Sequence, residues 1–277
     1  MQNLFFETFH RASSDYPYLD CEMKNINYLP HFHEELELAV VRSGEVCVAS
    51  ESGRLEAKKD DICIFMPGEI HSYISSGDNS LYIMKLNCKN SQEKIDFSLL
   101  RILPNVIQPH VPLNSLLRKE LEAAAKEINA KKTGYAYMSN SIANKMLCDI
   151  LRSGMIEQVN AAYRKKHVFS LSLLADVNEY IEQHYMEKIY LSDAAAHCNL
   201  SQYYFSHLFK EITQKTFYDF LTAFRLEKSL GLLLYSDKKI TAIAYECGFS
   251  NVRSFNRAFK KAFDQTPSDY IKVHTGH

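Results

Sequence analysis

The sequence has no apolar run long enough to cross a membrane, and its first residues do not form a basic segment followed by an apolar one. Neither a membrane span nor a secretory signal is therefore expected, and we expect a cytoplasmic protein that does not bind membranes. The sequence also lacks an excess of one charge, because it has 32 Lys and Arg residues and 33 Asp and Glu residues. The seven cysteines never form a C-x-x-C pair, which argues against a disulfide framework and a structural zinc site.

Short β-type runs fill the first part of the chain, up to about residue 90. They read ELAVVRSG, EVCVAS, DICIFMPG and SLYIMKLN, and Gly, Ser, Asp and Pro residues separate them. This spacing is typical of an antiparallel sandwich or barrel. At 277 residues the chain has room for about two domains, so further structure is expected after this one.

From about residue 112 the apolar residues recur every three or four positions, which predicts two amphipathic helices broken near Thr133–Gly134. The apolar positions are Leu113, Leu116, Leu117, Leu121, Ala124 and Ile128, then Met138, Ile142, Met146 and Ile150. Packing of this stripe on its own domain is one interpretation, and a subunit interface in a homodimer is the other. Residues 157–170 lose the pattern and carry Arg164, Lys165 and Lys166, so we expect a linker there.

The last hundred residues contain an internal repeat. LSDAAAHCNLS at 191–201 aligns with ITAIAYECGFS at 240–250 at an offset of 49, and FSHLFK at 205–210 aligns with FNRAFK at 255–260 at an offset of 50. Each unit predicts a short helix, a turn and a second helix, with Ser201 or Ser250 as the N-cap. Two helix-turn-helix units are therefore expected after a helix at roughly 171–185.

The second helix of each unit has one apolar and one polar face. The apolar faces are predicted to be core and contain Phe205, Leu208, Phe209, Ile212, Val252, Phe255, Phe259 and Phe263. The polar faces contain side chains suited to base edges and phosphates, namely Gln202, Tyr203, Ser206, His207, Lys210, Arg253, Ser254, Asn256, Arg257, Lys260 and Lys261. An ordinary solvated face is the alternative. The lack of Asp and Glu from 247 to 263 favours DNA.

The DNA affinity would come from this local patch, because the chain from residue 170 onward has 12 basic and 12 acidic residues. A long helix predicted at about 217–235 joins the two units. Two units in one chain would then contact major-groove segments one helical turn, about 34 Å, apart.

The C-terminal sequence resembles the AraC/XylS family of transcriptional regulators, over about residues 170–275. The residues that match the family pattern are Arg225, Leu226, Leu233, Ile243, Ala244, Gly248, Phe249, Phe255, Phe259, Lys260, Thr266, Pro267 and Tyr270. The resemblance implies binding to double-stranded promoter DNA, control by a small-molecule effector, and contact with RNA polymerase if the protein is an activator. It implies base contacts by Tyr203, Ser206 and His207 and by Arg253, Asn256 and Arg257.

The sequence departs from the family at three positions. Gln214 and Asp264 stand where a left-handed Gly usually follows each recognition helix, and Ser229 replaces an Ala. A left-handed Gln would cost on the order of 1 kcal/mol, and Asp less. We expect the chain to keep the family fold despite these three differences.

The stretch HFHEELE, residues 31–37, places two histidines and a glutamate close together. On a single strand His31, His33 and Glu37 would share one face, with Leu36 and Leu38 on the other. Periodicity alone also allows that polar face to meet water.

This stretch, with Gly44 seven residues later, resembles the first cupin motif, and PGEIH at 67–71 resembles the second, which would add His71. Asp60 and Ser75 depart from that pattern, as does the short spacing between Pro67 and His71. The resemblance implies a sensor domain in which His31, His33, Glu37 and His71 either bind a small polar effector such as a sugar or hold a divalent transition metal such as Fe, Mn, Ni or Zn. A cupin enzyme with an accessory helical domain is the third hypothesis.

We therefore expect an α+β chain and not an enzyme. Its predicted parts are a cupin-like antiparallel β-barrel at 1–110, a helical hairpin that dimerises at 111–156, a linker at 157–170, and an all-α double helix-turn-helix domain at 171–277. The predicted function is transcriptional regulation controlled by a small polar effector in the cupin-like domain, with activation favoured over repression. A metal-responsive regulator is the alternative. No cofactor beyond the metal is predicted.

Overall fold

The computed structural model describes residues 18–24, 28–50, 52–75, 77–88 and 95–275. The strands are β1 Tyr18–Lys24, β2 Tyr28–His31, β3 Glu35–Ser43, β4 Glu45–Ser50, β5 Gly53–Lys58, β6 Ile62–Phe65, β7 His71–Ser75, β8 Ser80–Asn87, β9 Leu100–Ile102, β10 Val106–Ile107 and β11 Ile156–Gln158. The helices are α1 Pro112–Ala130, α2 Tyr135–Leu151, α3 Ala161–His184, α4 Leu191–His197, α5 Gln202–Thr213, α6 Phe217–Tyr235, α7 Ile240–Glu246, α8 Val252–Phe263 and α9 Pro267–Thr275. None of the described helices is long and apolar enough to cross a membrane.

Two antiparallel sheets form the β-domain of the N-terminal unit, as the sequence predicts. The larger has the order β1-β8-β3-β6-β10 and the smaller the order β2-β7-β4-β5. Their inward-facing side chains form one apolar core, which includes Ala39, Val41, Val48, Phe65 and Ile83. Because side chains alternate along a strand, the neighbouring residues of β3 face the other side of the larger sheet.

The predicted helical hairpin covers that other side. Leu36 and Leu38 of β3 form a second core with Leu117 of α1 and Met146 of α2, and all four are fully buried. Most of the stripe therefore packs on its own unit, the first of the two interpretations, whereas Leu116 and Met138 of the predicted stripe are exposed. The two helices are separated at Gly134, whose φ is 88°.

Residues 157–170, which we predicted to be a linker, have regular secondary structure instead. β11 pairs with β9, and α3 then begins at Ala161, ten residues earlier than the predicted helix at 171. The Asn160 side chain accepts a hydrogen bond of 2.8 Å from the Tyr163 N–H, which caps the helix. Mixed Ala, Arg and Lys side chains at its start hide the apolar period that would have revealed it. The boundary between the two compact units falls after Phe169.

The repeat in the C-terminal unit is reproduced by its helices and extends further than the sequence predicted. α4 and α7 are related by the offset of 49, and α5 and α8 by the offset of 50. α6 and α9 also begin 50 residues apart, after Thr216 and Thr266. Each threonine hydroxyl donates to an aspartate three residues later, Asp219 or Asp269, at 2.6 Å. The repeated unit therefore includes the start of a third helix.

The predicted N-cap Ser201 caps α5, but the prediction of Ser250 as the cap of α8 was wrong. The cap is Asn251, whose Oδ1 accepts a hydrogen bond of 2.8 Å from the Ser254 N–H. The inserted residue that changes the offset from 49 to 50 explains the difference, because Asn251 is the equivalent of Ser201 at an offset of 50. Gln214 and Asp264 are left-handed as predicted, each with φ 55°.

Gly248 and Arg225 explain part of the family pattern in structural terms. Gly248 has φ 82°, and a Cβ there would lie 2.1 Å from the carbonyl oxygen of Tyr185, so only glycine fits. Arg225 on α6 donates to the carbonyl oxygens of Tyr185 and Glu187 at 2.8 and 2.6 Å. Both residues therefore fix the end of α3 against the second helix-turn-helix unit.

Candidate functional site

The predicted DNA-contacting residues lie on the exposed faces of α5 and α8. Every one of them is exposed except Ser254, which is partly buried: Gln202, Tyr203, Ser206, His207, Lys210, Arg253, Asn256, Arg257, Lys260 and Lys261. The apolar faces are buried, since Phe205, Phe209, Phe255 and Phe259 are at most 1% exposed. Each helix is therefore fixed by its aromatic face and presents its polar face to solvent.

The two polar faces differ in charge. Lys210 is the single permanent cation among the predicted contacts of α5, whereas α8 carries two arginines and two lysines. On α5 the Tyr203 and His207 rings lie against each other, with centroids 4.4 Å apart. The α5 face therefore offers planar and hydrogen-bonding groups, and the α8 face offers mainly positive charge.

The four residues of the second predicted site come together inside the N-terminal unit. His31 ends β2, His33 lies in the turn that follows, Glu37 lies on β3, and His71 begins β7. The expectation that one strand carries the first three was wrong, because the chain turns between His31 and Glu35. The water-facing alternative is also wrong, because the four residues are between 1% and 6% exposed.

Main-chain carbonyl oxygens hold the three imidazole rings. His31 Nδ1 lies 2.8 Å from the Leu29 oxygen and His71 Nδ1 lies 2.8 Å from the Glu69 oxygen, so each Nδ1–H donates. His33 Nδ1 lies 3.1 Å from the Glu35 oxygen. Each Nδ1 is therefore occupied by a main-chain oxygen, and Nε2 of His33 and of His71 points to the Glu37 carboxylate instead. Metal-binding histidines are usually oriented in this way.

Glu37 lies at the centre of the cluster. Its carboxylate is 3.1 Å from His33 Nε2 and 3.4 Å from His71 Nε2. It also accepts a hydrogen bond of 2.5 Å from the Tyr73 hydroxyl and lies 3.5 Å from Lys85 Nζ. A buried carboxylate with this many positive or hydrogen-donating neighbours is stabilised in its charged form.

Burial and this carboxylate together set the protonation of the cluster. Burial lowers the pKa of His31 to about 3, and the nearby His71 adds to that effect. Burial would also lower the pKa of His33, but the hydrogen bond and charge of Glu37 raise it above its usual value. Burial would raise the pKa of Glu37, yet His71 and His33 hold it well below its usual range. His31 is therefore neutral near pH 7 and Glu37 is charged.

These four residues fit a metal ion by their donor atoms and their spacing. One ligand atom from each lies within 4.8 Å of all the others. Ligands lie about 2 Å from a bound transition metal, so donors on opposite sides of one ion are about 4 Å apart. His71 Nε2 is buried and has no hydrogen-bond partner in the described part of the chain. An unpartnered buried nitrogen aimed at three other ligand atoms is the chemistry of a metal-binding set.

Tyr73 and Lys85 are functional neighbours that the sequence reasoning missed. Tyr73 is fully buried, and burial together with Glu37 raises the pKa of its hydroxyl well above the usual value. Burial lowers the pKa of Lys85 to about 7. The signal that could have identified Lys85 is a lysine within the otherwise apolar strand SLYIMKLN.

Family models match both units of the chain. One described as an AraC-like ligand binding domain matches residues 23–128, and one described as a helix-turn-helix domain matches residues 194–272. The chain belongs to the AraC family of transcriptional regulators. It is a DNA-binding regulator with a ligand-binding domain and not an enzyme, which corrects the third hypothesis from the sequence.

Bacterial relatives span most of the chain. The HTH-type transcriptional regulator YdeC of Bacillus subtilis (strain 168) is 24% identical over 91% of this chain and 89% of its own length. The HTH-type transcriptional activator RhaR of Mannheimia succiniciproducens is 28% identical over 82% of this chain and 83% of its own length.

Two solved structures were matched to the chain. The DNA-binding domain of AdpA in complex with a target DNA matches 37% of this chain and 93% of that chain, with 23% identity and a TM-score of 0.36. Unsaturated fatty acid bound ToxT from Vibrio cholerae matches 94% of this chain and 96% of that chain, with 13% identity and a TM-score of 0.48.

Proposed function

We propose that this AraC-family regulator reads promoter DNA with both helix-turn-helix units in the cytoplasm, and that a divalent transition metal in the β-domain controls it. His31, His33, Glu37 and His71 hold the ion in this proposal. The observation that carries it is the orientation of the three rings, whose Nδ1 atoms face main-chain oxygens, together with the convergence of one ligand atom from each of the four residues within 4.8 Å.

A small polar effector such as a sugar is the competing hypothesis for the same four residues. Their ligand atoms lie within 4.8 Å of one another. Two hydrogen bonds of about 2.8 Å each already exceed that separation before the width of a sugar ring is added. The burial of all four side chains also favours an ion over a molecule that must enter and leave.

The ligands come from both sheets, which gives the site a means of control. His31 and His71 belong to the smaller sheet and Glu37 belongs to the larger one. A bound ion would supply positive charge beside Glu37 and a bond to each strand. Without an ion, the Lys85 ammonium would supply the positive charge, since it lies 3.5 Å from the carboxylate. The separation of the two sheets at this point therefore depends on which cation Glu37 contacts.

In the C-terminal unit, we assign base reading and phosphate binding to different side chains. Tyr203, Ser206 and His207 on α5 would contact base edges, as would Arg253, Asn256 and Arg257 on α8. Gln202, Lys210, Lys260 and Lys261 lie beside them and would contact phosphates or neighbouring bases. α8 would supply most of the electrostatic affinity because it has more cations.

Two alanine substitutions separate base reading from phosphate binding. Arg257→Ala should weaken operator binding by about 1 to 3 kcal/mol and relax base preference at one position. Lys260→Ala should weaken binding to all DNA sequences. It should also reduce the slope of log K against log salt concentration by about one. Lys272→Ala on α9 is the matched control and should change neither quantity. Unchanged binding in both test variants would make the second unit a structural support.

Metal control is tested by measuring operator affinity with and without a chelator. The wild-type protein should change its affinity by about 5- to 150-fold, the usual range of coupling between two sites. Glu37→Gln should have the same affinity in both conditions. Equal affinities of the wild-type protein with and without the metal would contradict metal control while leaving DNA binding intact.

We propose activation as the outcome and a homodimer as the active form. Most of the apolar stripe of the hairpin packs within its own unit, so the dimer would form through the exposed side chains of the same helices, which include two members of that stripe. Tyr137 is 86% exposed, Met138 52% and Leu116 47%. Tyr137→Glu should shift sedimentation from dimer to monomer. Transcription in vitro with RNA polymerase distinguishes activation from repression.

A further inference from the structure

Within the described residues, a cleft of about 880 Å³ opens between α1 and the outer face of the larger sheet. Val40 of β3 and Tyr82 of β8 form its floor, and Leu121 and Ala125 of α1 line the opposite wall. The cleft forms because α1 presents leucines near its start and small side chains near its end. Leu113 and Leu117 fill the space against the sheet, whereas Ala125 and Ala130 leave it open.

The size and the lining of this cleft suit a small organic molecule. Ligand sites usually have volumes of about 300 to 1,000 Å³, with apolar walls and a few polar groups. The polar groups here are mostly cationic: Arg42, Arg118 and Lys126 line the cleft together with one acid, Glu122. Arg118 lies 2.8 Å from Asp60 and is already neutralised.

Two cationic side chains therefore remain beside the one carboxylate of Glu122, so the cleft keeps a net positive charge. Arg42 and Lys126 are exposed and form no ion pair within the described part of the chain. They approach the cleft from different elements, Arg42 from the end of β3 and Lys126 from α1. An anionic group at the mouth and an apolar body on Val40 and Tyr82 would satisfy both parts of the lining.

The cleft and the histidine cluster lie on opposite faces of the same two strands. Val40 is paired with Tyr82, and Glu37 is paired with Lys85, in the same register of β3 and β8. Because successive side chains point to opposite faces, the first pair faces α1 and the second faces the barrel interior. A molecule that fills the cleft would therefore press on the strand that carries Glu37.

We propose that this cleft, and not the barrel interior, binds the organic effector, and that the effector is a small anion with an apolar body. The proposal rests on the proposed function only where it calls the ligand an effector. The binding test uses neither DNA nor metal, so its failure is distinguishable from failure of the proposed function.

The test is a fluorescence titration with anilinonaphthalene sulfonate, an aromatic anion that brightens in apolar sites. The wild-type protein should bind one equivalent saturably. The double variant Arg42→Glu, Lys126→Glu should bind at least about tenfold more weakly, a loss of about 1.4 kcal/mol. Lys119→Glu, an exposed lysine of α1 outside the cleft, is the matched control and should bind normally. Ala125→Trp, which fills the cleft, should abolish binding.

Circular dichroism verifies that each variant remains folded, and a neutral phenylnaphthylamine separates charge from shape. The double charge reversal should leave binding of the neutral dye unchanged, whereas Ala125→Trp should prevent it. Three results would overturn the proposal: no saturable binding to the wild-type protein, equal binding by the wild-type and cleft variants, or a change of sedimenting mass in Ala125→Trp. The last result would make the cleft an interface between two copies of the chain.

Discussion

Replacing Glu37 by Gln should destabilise the metal-free N-terminal unit by about 3 kcal/mol, the lower end of the range for removing one partner of a buried ion pair. The change keeps the shape of the side chain and removes its charge. It removes the buried negative charge that lies 3.1 Å from the His33 imidazole and 3.5 Å from the Lys85 ammonium. The lower end applies because Lys85, with its pKa lowered to about 7, can lose its proton when the carboxylate is gone.

Scanning calorimetry measures this loss. The chain has two compact units, so we expect two unfolding transitions. One transition should move to lower temperature and the other should stay in place. Glu35→Gln is the matched control: its carboxylate is 3.4 Å from His33 Nδ1, but 38% of the side chain is exposed. We expect it to change stability by less than about 1 kcal/mol. Equal effects of the two substitutions would refute the reasoning, because burial would then not set the strength of the Glu37 contacts.

Three further predictions concern the helix-turn-helix domain. Asn251→Ala should destabilise it by about 1 kcal/mol through loss of the α8 cap, whereas Ser250→Ala should have almost no effect. Chemical denaturation measures both changes, and a larger loss of stability for Ser250→Ala would contradict the capping assignment. Gly248→Ala should cost about 2 kcal/mol or more, because the added Cβ would meet a carbonyl oxygen in a left-handed turn, and normal stability would show that the turn can relax. Arg225→Ala should weaken the domain by about 1 to 3 kcal/mol, since two carbonyl oxygens lose a charged donor, and Arg225→Lys should restore part of it.

Much of the C-terminal unit could be predicted because its information is local and repeated. A change of offset from 49 to 50 between the two units locates the inserted residue. The structure shows the consequence, with Asn251 rather than Ser250 as the cap. Aromatic residues at helical spacing identified the buried faces of α5 and α8, and the polar faces followed by exclusion. Periodicity and capping depend on residues a few positions apart, so one sequence is enough to read them.

The histidine cluster was predictable in composition but not in geometry. His31, His33 and Glu37 are close in sequence, so their proximity was expected, yet the turn between β2 and β3 was not. Lys85 reaches Glu37 through the pairing of β3 with β8, whereas Tyr73 reaches it from the smaller sheet. A single sequence specifies neither arrangement. The early start of α3 was missed for another reason. Its first turns are largely polar and carry no apolar period, so only the cap at Asn160 indicated them.

The metal content of the purified protein tests the central claim most directly. Protein made without a histidine tag or added metals should contain about one equivalent of a divalent transition metal. The same preparation of Glu37→Gln or His33→Ala should lose most of it, and Glu35→Gln should retain it. A wild-type content below about a tenth of an equivalent, with no uptake on addition of Fe, Mn, Ni or Zn, would contradict the metal site.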